Sequence, residues 1–354
     1  MTPELEQGVT AAGAALGAFN GVTVPLRFGG REREWRAVRE SSGVIVPAHR
    51  ASIVARGDDR ISFLQGMLSN DVKALPVGAG LHAAFLTQTG KVVSDLRVFV
   101  DETVVLLDLL AWRAAPFKEA LERFIVADDV ELETSATMTP LIGVEGPQAA
   151  QVIGRLVGEP PPRAERLALH RAHFQGDPLF VLSASENDHT GYLLCGSAAL
   201  AAPLFAAACA AGAVPVGLEA LNVLRVEAGI PWSGIDMDED VLLMETGLER
   251  AVSFTKGCYL GQEVVERIAA RGHVNRKLCG LLVEGGTVPP RGSLVSDGER
   301  EVGHITSGVR SVALDRVIAL GYVHRNRLEP GNRLKIQAGN ELVAATVTTL
   351  PFVA

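Results

Sequence analysis

The strongest constraint on this chain is a change of rhythm near residue 276. Beyond it come "KLCGLLVEG", "REVGHITSG", "RVIALGYV", "NRLKIQAG" and "ELVAATVTTL". These are short β-prone runs separated by Gly, Pro, Asn and Asp. That spacing predicts a small all-β barrel or sandwich. Upstream the pattern is mixed. Between 45 and 110, strand-like runs ("SIVARG", "VVSDLRVFV", "TVVLLDLL") alternate with a helical stretch near 58–70. An amphipathic helix is expected over 112–124, and "LIGVEGPQAAQVI" (141–153) reads as strand, turn and helix with Gly146-Pro147 opening the helix. "PLFVLSAS" and "GYLLCG" add strands. The mixture predicts an α+β region followed by a β domain, with the boundary in "ARGHVNR" (270–276).

At 354 residues, 47% hydrophobic and 21% charged, the chain has ample core for two or three domains. A net charge of −8 argues against a duplex-binding surface, so no direct nucleic-acid partner is expected. Residues 196–218 carry no charge over a membrane-spanning length, but alanine dominates and Pro203 and Pro215 interrupt them. A buried Ala-rich helix is expected, with no membrane partner. The N-terminus carries acids where a signal peptide needs positive charge, so it reads as uncleaved. Four cysteines without a CxxC pair suit a reducing cytoplasm and predict no self-contained metal site.

Two segments carry candidate chemistry. "GLEALNVLRVEAGIP" begins as a helix over about 217–228, stopped by Gly229 and Pro231. Ala220, Val223, Leu224 and Glu227 share one side of it. A carboxylate on an apolar stripe needs donors: either an ion pair, with Arg225 or a distant Arg, or a ligand with several N–H groups such as a pterin edge. In "FTKGCYLGQEVVER" (254–267), Cys258 follows Lys256 and Gly257 and precedes a helix expected near Gly261. Positive charge and a helix N-terminus favour a thiolate, whereas a lone cysteine is also a common packing residue.

The same segment, "KGCYLGQEVVER" (256–267), closely resembles the signature of the YgfZ family, the folate-binding proteins of iron–sulfur cluster maintenance. The wider superfamily is the glycine cleavage T-protein, an aminomethyltransferase. Nearly the whole chain takes part. "FLQGMLSNDVKAL" (63–75), "GVEGPQA" (143–149), "LRVEAGIP" (224–231), "GHITS" (303–307), "IALGYV" (318–323) and "LPF" (350–352) resemble T-protein segments. The resemblance implies a T-protein-like, folate-binding α+β core with a ferredoxin-like part over roughly 137–215. A C-terminal β-barrel would then follow, dividing the chain at 1–272 and 273–354. It implies tetrahydrofolate or a derivative as cofactor, with Glu227, Asn70, Arg225, Tyr192 and Arg267 as cofactor-binding residues. The anionic tail of the folate would meet basic residues among Arg267, Arg271, Arg276 and Lys277, which also read as a solvated linker face. Cys258, Lys256 and Asp95 are the implied catalytic residues.

Two departures shape the functional expectation. Ser94-Asp95 stand where the T-protein has two acids, and Leu193 stands where it has a glutamate after Gly191-Tyr192. The main expectation is therefore a tetrahydrofolate-binding accessory protein in iron–sulfur cluster assembly or repair, with client or cluster-assembly proteins as partners. Cys258 would be at most a transient cluster ligand, since one thiolate cannot hold a cluster alone. Any effect on tRNA modification would be indirect. The alternative is a folate-dependent aminomethyl or one-carbon transferase, in which Asp95 supplies the acid or base.

Overall fold

The short β runs beyond residue 276 close on themselves. In the computed structural model, which describes residues 1–135, 137–158, 161, 167–187 and 189–353, six strands form a closed barrel. Around it run Arg276–Val283, Arg316–His324, Glu301–Ser311, Leu294–Ser296, Arg333–Ala338 and Glu341–Thr348, the last pairing back to the first. Period-two patterning drives this: in Arg333–Ala338, exposed and buried residues alternate strictly. The interior is filled by Leu281, Val295, Ile305, Val317, Ala319, Val323, Leu334, Ile336 and Val347. Gly303 is required where two strands close up, because a Cβ there would sit 2.0 Å from the Tyr322 carbonyl oxygen.

The mixed upstream sequence builds two sheets. One has five strands in the order Gly80–Leu86, Val92–Val100, Val105–Leu110, Arg50–Arg56 and Glu131–Thr134. The other has six, in the order Ala168–Phe174, Asp177–Ser183, Gly191–Gly196, Thr139–Glu145, Gly43–Ile45 and Val214–Val216, with only the last pair parallel. Helices Ala149–Val157 and Ala201–Ala210 pack on the six-stranded sheet through Val152, Ile153, Leu204 and Phe205. This is the ferredoxin-like part. The Ala-rich stretch is therefore a short core helix, and among the described residues no helix is long and apolar enough to cross a membrane. The faces of the two sheets meet through Val54, Phe99 and Leu106 against Leu169, Leu182 and Leu193.

By internal packing the chain divides into two units: residues 1–85, 94–221 and 250–259, and residues 86–93, 222–249 and 260–354. Packing assigns 222–249 and 260–272 to the same unit as the barrel strands. The cause lies in buried polar ties. Within the second unit, the Arg225 guanidinium donates to Asp236 Oδ2 at 2.6 Å and Ser307 Oγ at 2.7 Å, and Ser307 Oγ donates to Asp236 Oδ1 at 2.6 Å. Arg225 also lies over the Trp232 ring, 4.5 Å from its centroid.

Candidate functional site

In the first unit, helix Arg60–Met67 ends at Leu68 and the chain turns through Ser69, Asn70 and Asp71. Side chains fix that turn. Ser69 Oγ donates to the Ala251 carbonyl at 2.6 Å and accepts from the Ala84 amide at 2.8 Å. Asn70 Nδ2 donates to the His82 carbonyl at 2.8 Å and to the Arg250 carbonyl at 3.1 Å. Asn70, an implied folate contact, is thus a clamp between the turn, strand Gly80–Leu86 and the 250–259 segment.

Lys256 completes the clamp. Its ammonium donates to the carbonyls of Gln65, Leu68 and Asn70 at 2.5, 2.7 and 2.9 Å, and it lies 5.1 Å from the Tyr259 ring centroid. Burial pushes its pKa down to about 8, partly opposed by nearby Asp71. Three carbonyls around one cation make Lys256 a staple of the turn.

Next to Asn70 the structure brings together a pair of which the sequence reading had only one member. His82 Nε2 and Asp95 Oδ2 lie 2.8 Å apart, both side chains half-buried. Asp95 belongs to strand Val92–Val100 and His82 to its neighbour. Ser94 is fully buried, its hydroxyl donating to the Asp95 carbonyl at 2.9 Å. His82 sits in "GLHAAFL", where nothing in the local pattern marks it.

Cys258 is the exposed cysteine. The other three are withdrawn. Burial pushes the Cys195 thiol far up, that of Cys279 up to about 12, and that of Cys209 up as well. Tyr192 is a core residue, paired across to Val144 and Ser183, and burial raises its phenol pKa.

The sequence reading missed a buried charge network in the same unit. Arg97 Nε and Arg50 Nη2 both donate to Asp108 Oδ2, at 2.5 and 2.6 Å, and Arg97 Nη2 donates to Glu186 Oε1 at 2.8 Å. The two guanidiniums overcome burial and hold Glu186 well below the usual carboxylate range. Glu145 receives the Glu186 amide at 2.7 Å, Asn187 Nδ2 at 2.6 Å and Ser185 Oγ at 3.1 Å. Even so, burial and the neighbouring Glu186 charge push it up to about 8.

In the second unit, helix Leu218–Glu227 runs into it and ends at the buried Glu227. Glu227 Oε1 accepts from Ser311 Oγ at 2.5 Å and from the amides of Val312 and Ala313 at 2.9 and 3.1 Å. The turn after Glu301–Ser311 thus supplies three donors to this one carboxylate oxygen. Arg225 is sealed, with Asn222, Ile230, Asp236 and Ser307 as its partners. Arg267 is exposed on helix Gln262–Arg271, and the side chain of Arg271 lies outside the described residues. Arg276 pairs with Glu245 at 3.2 Å and Lys277 with Glu249 at 2.9 Å. Among the described residues no group of three His, Cys, Asp or Glu side chains is placed to hold a metal ion.

A two-sheet α+β region with a ferredoxin-like part and a six-stranded C-terminal barrel, carrying an Asp–His pair, defines a class in which comparison becomes informative. Residues 5–256 match the GCVT N-terminal domain, and residues 276–354 match the glycine cleavage T-protein C-terminal barrel domain. The chain belongs to the glycine cleavage T-protein family. It is 31% identical to an aminomethyltransferase of Thermus thermophilus over 96% of this chain and 95% of that protein. It is 28% identical to an aminomethyltransferase of Chlorobium phaeovibrioides, over 97% and 95%. The crystal structure of the glycine cleavage system aminomethyltransferase T from Bartonella henselae shares the fold, with a TM-score of 0.89 at 24% identity. That match covers 100% of this chain and 98% of that one.

Proposed function

We propose that this protein binds tetrahydrofolate or a derivative and acts as a folate-dependent one-carbon transferase of the aminomethyltransferase kind. The observation that carries the reading is the His82–Asp95 contact at 2.8 Å. Transfer to or from a folate nitrogen needs a group that holds and moves a proton beside it, and a half-buried carboxylate joined to an imidazole is such a group. Asn70 fixes the backbone of His82 and so positions the pair. The naming of curated relatives as aminomethyltransferases supports the same reading. Glu227 and Arg225 enter it as braces of the second unit.

The test is calorimetric titration with tetrahydrofolate and 5-formyltetrahydrofolate, followed by assay of carbon transfer from an aminomethyl donor to tetrahydrofolate. Asp95→Asn and His82→Gln should keep folate affinity within a few-fold. Each should lower turnover by about a hundredfold or more, the range of a lost acid–base group. Undetectable folate binding, or full turnover in Asp95→Asn, refutes the assignment.

A second reading is favoured by Cys258. It is the exposed thiol of a "KGCYLGQEVVER" segment resembling the YgfZ signature, while Ser94 and Leu193 replace two carboxylates of the T-protein pattern. On this reading the folate-bound protein assists iron–sulfur cluster assembly or repair through the Cys258 thiol. Iodoacetamide labelling should modify Cys258 ahead of Cys195, Cys209 and Cys279. Cells lacking the protein should lose iron–sulfur enzyme activity that Cys258→Ala cannot restore. Full rescue by Cys258→Ala discards this reading and leaves the first untouched.

A further inference from the structure

The barrel unit carries a cleft that the folate reading does not use. Its volume is 640 Å³, within the range of small-molecule sites, and all its walls belong to the second unit. Three guanidiniums from separate segments line it: Arg276 at the start of the first barrel strand, Arg300 in the turn before Glu301–Ser311, and Arg327 after Arg316–His324. We propose that this cleft binds a small polyanion through carboxylate or phosphate oxygens.

The cleft is balanced in formal charge but not in free hydrogen-bonding capacity. Two of its three carboxylates are spent on its own walls. Asp297 Oδ1 accepts the amides of Glu299 and Arg300, both at 3.1 Å, while its Oδ2 accepts Arg327 Nη2 at 2.9 Å and Nε at 3.1 Å. Those amides, with Arg327, draw the Asp297 pKa down to about 2, so it stays a fixed anion. Glu245 Oε2 accepts Arg276 Nε and the Leu242 amide, both at 3.2 Å. The donors are not spent to match. Arg276 Nη1 and the whole Arg300 guanidinium have no partner among the described residues. Glu301 is the one carboxylate of the wall left over, and it is exposed.

The back of the cleft is aromatic. The Tyr322 ring, almost wholly buried, lies 5.3 Å below the Arg276 guanidinium and 5.7 Å from the His304 ring. Its hydroxyl is sealed and finds no hydrogen-bond partner in the wall. Burial and Arg276 depress the His304 pKa, so the imidazole remains neutral beside the guanidinium. A guanidinium held over an aromatic ring and fixed by Glu245 is pre-organised for a forked carboxylate or phosphate. Arg300, at the exposed edge, supplies the second cationic contact.

The experiment is isothermal titration of the full chain with inorganic pyrophosphate and, separately, with a γ-linked triglutamate. Each is run at about 20 mM and about 150 mM salt to separate site binding from screened attraction. One saturable site is expected at both salts for at least one probe. Pyrophosphate alone points to a phosphorylated ligand and triglutamate alone to a polycarboxylate; either supports the site. Arg300→Glu, at an exposed position with no partner to lose, should weaken binding at least tenfold without changing the melting temperature. Absence of saturable binding, or Arg300→Glu binding as tightly as wild type, overturns the proposal. The folate titration and turnover assay read the His82–Asp95 pair and the polyanion titration reads the barrel cleft, so either result can fail without the other.

Discussion

Replacing Lys256 with methionine tests whether this residue serves the turn or the chemistry. The side chain is about the same length, so packing changes little and the ammonium alone is lost. Three carbonyl oxygens, of Gln65, Leu68 and Asn70, then lose their donor in a largely buried turn. At roughly 1 kcal/mol each, the low end for an unmet acceptor, the substitution costs about 3 kcal/mol at pH 7. The pH dependence supplies a sharper test. The folded pKa is lowered from 10.5 to about 8, so between those values the unfolded chain binds the proton and the folded chain does not. Wild-type stability from this group therefore rises with pH across the window. A shift of about 2.5 units corresponds to about 3 kcal/mol at 1.36 kcal/mol per unit. The methionine variant lacks that rise. Urea denaturation of both proteins from pH 7 to 10 gives the difference, in which the other titrating groups cancel. The gap between the curves should widen with pH. A gap that narrows means the three carbonyls outweigh burial and hold the ammonium charged; no gap at all removes Lys256 as a staple.

Glu227→Gln replaces an acceptor of three donors by a weaker one and should lower stability by about 1–2 kcal/mol in thermal melting, with folate affinity unchanged; a stable variant that no longer binds folate returns Glu227 to the ligand. The Glu145 pKa, raised to about 8, makes the folded chain hold a proton that the unfolded chain has lost above its ordinary 4.5, so this group's contribution to stability falls as pH rises from about 4.5 to about 8. Glu145→Gln should remove that part of the slope in denaturant titrations over the same range, and an unchanged slope means that the three donors keep Glu145 ionised.

The spacing of short β-prone runs between Gly, Pro, Asn and Asp made the barrel legible, because a closed sheet of short strands needs a turn after each one. Helix Leu218–Glu227 was legible from its apolar spacing and its Gly229–Pro231 stop, and Glu227 from the cost of a carboxylate on that stripe. Its donors were not legible. They come from Ser311, Val312 and Ala313, more than eighty residues away, and only the closed barrel brings that turn to the helix end. His82 was invisible for a related reason: a single imidazole on an apolar strand means nothing until the neighbouring strand sets Asp95 beside it. The Arg50–Arg97–Asp108–Glu186 network combines four segments and has no local signature at all.

The most distinctive short segments of this chain turn out to carry its internal ties. "KGC" places Lys256 on three carbonyls, and "LRVEAGIPWSGID" places Arg225 on Asp236 and Glu227 on the barrel turn. A glycine-flanked lysine or a buried arginine is demanding in sequence because a caged charge must be met on every side. Such motifs therefore mark the fold more strictly than the reaction. The reaction depends on fewer constraints, an Asp95 within reach of His82 or an accessible Cys258, and either can be lost while every tie persists. That is why membership of the family settles the architecture but leaves the chemistry to be decided between the His82–Asp95 pair and the Cys258 thiol, each by substitutions that spare the ties.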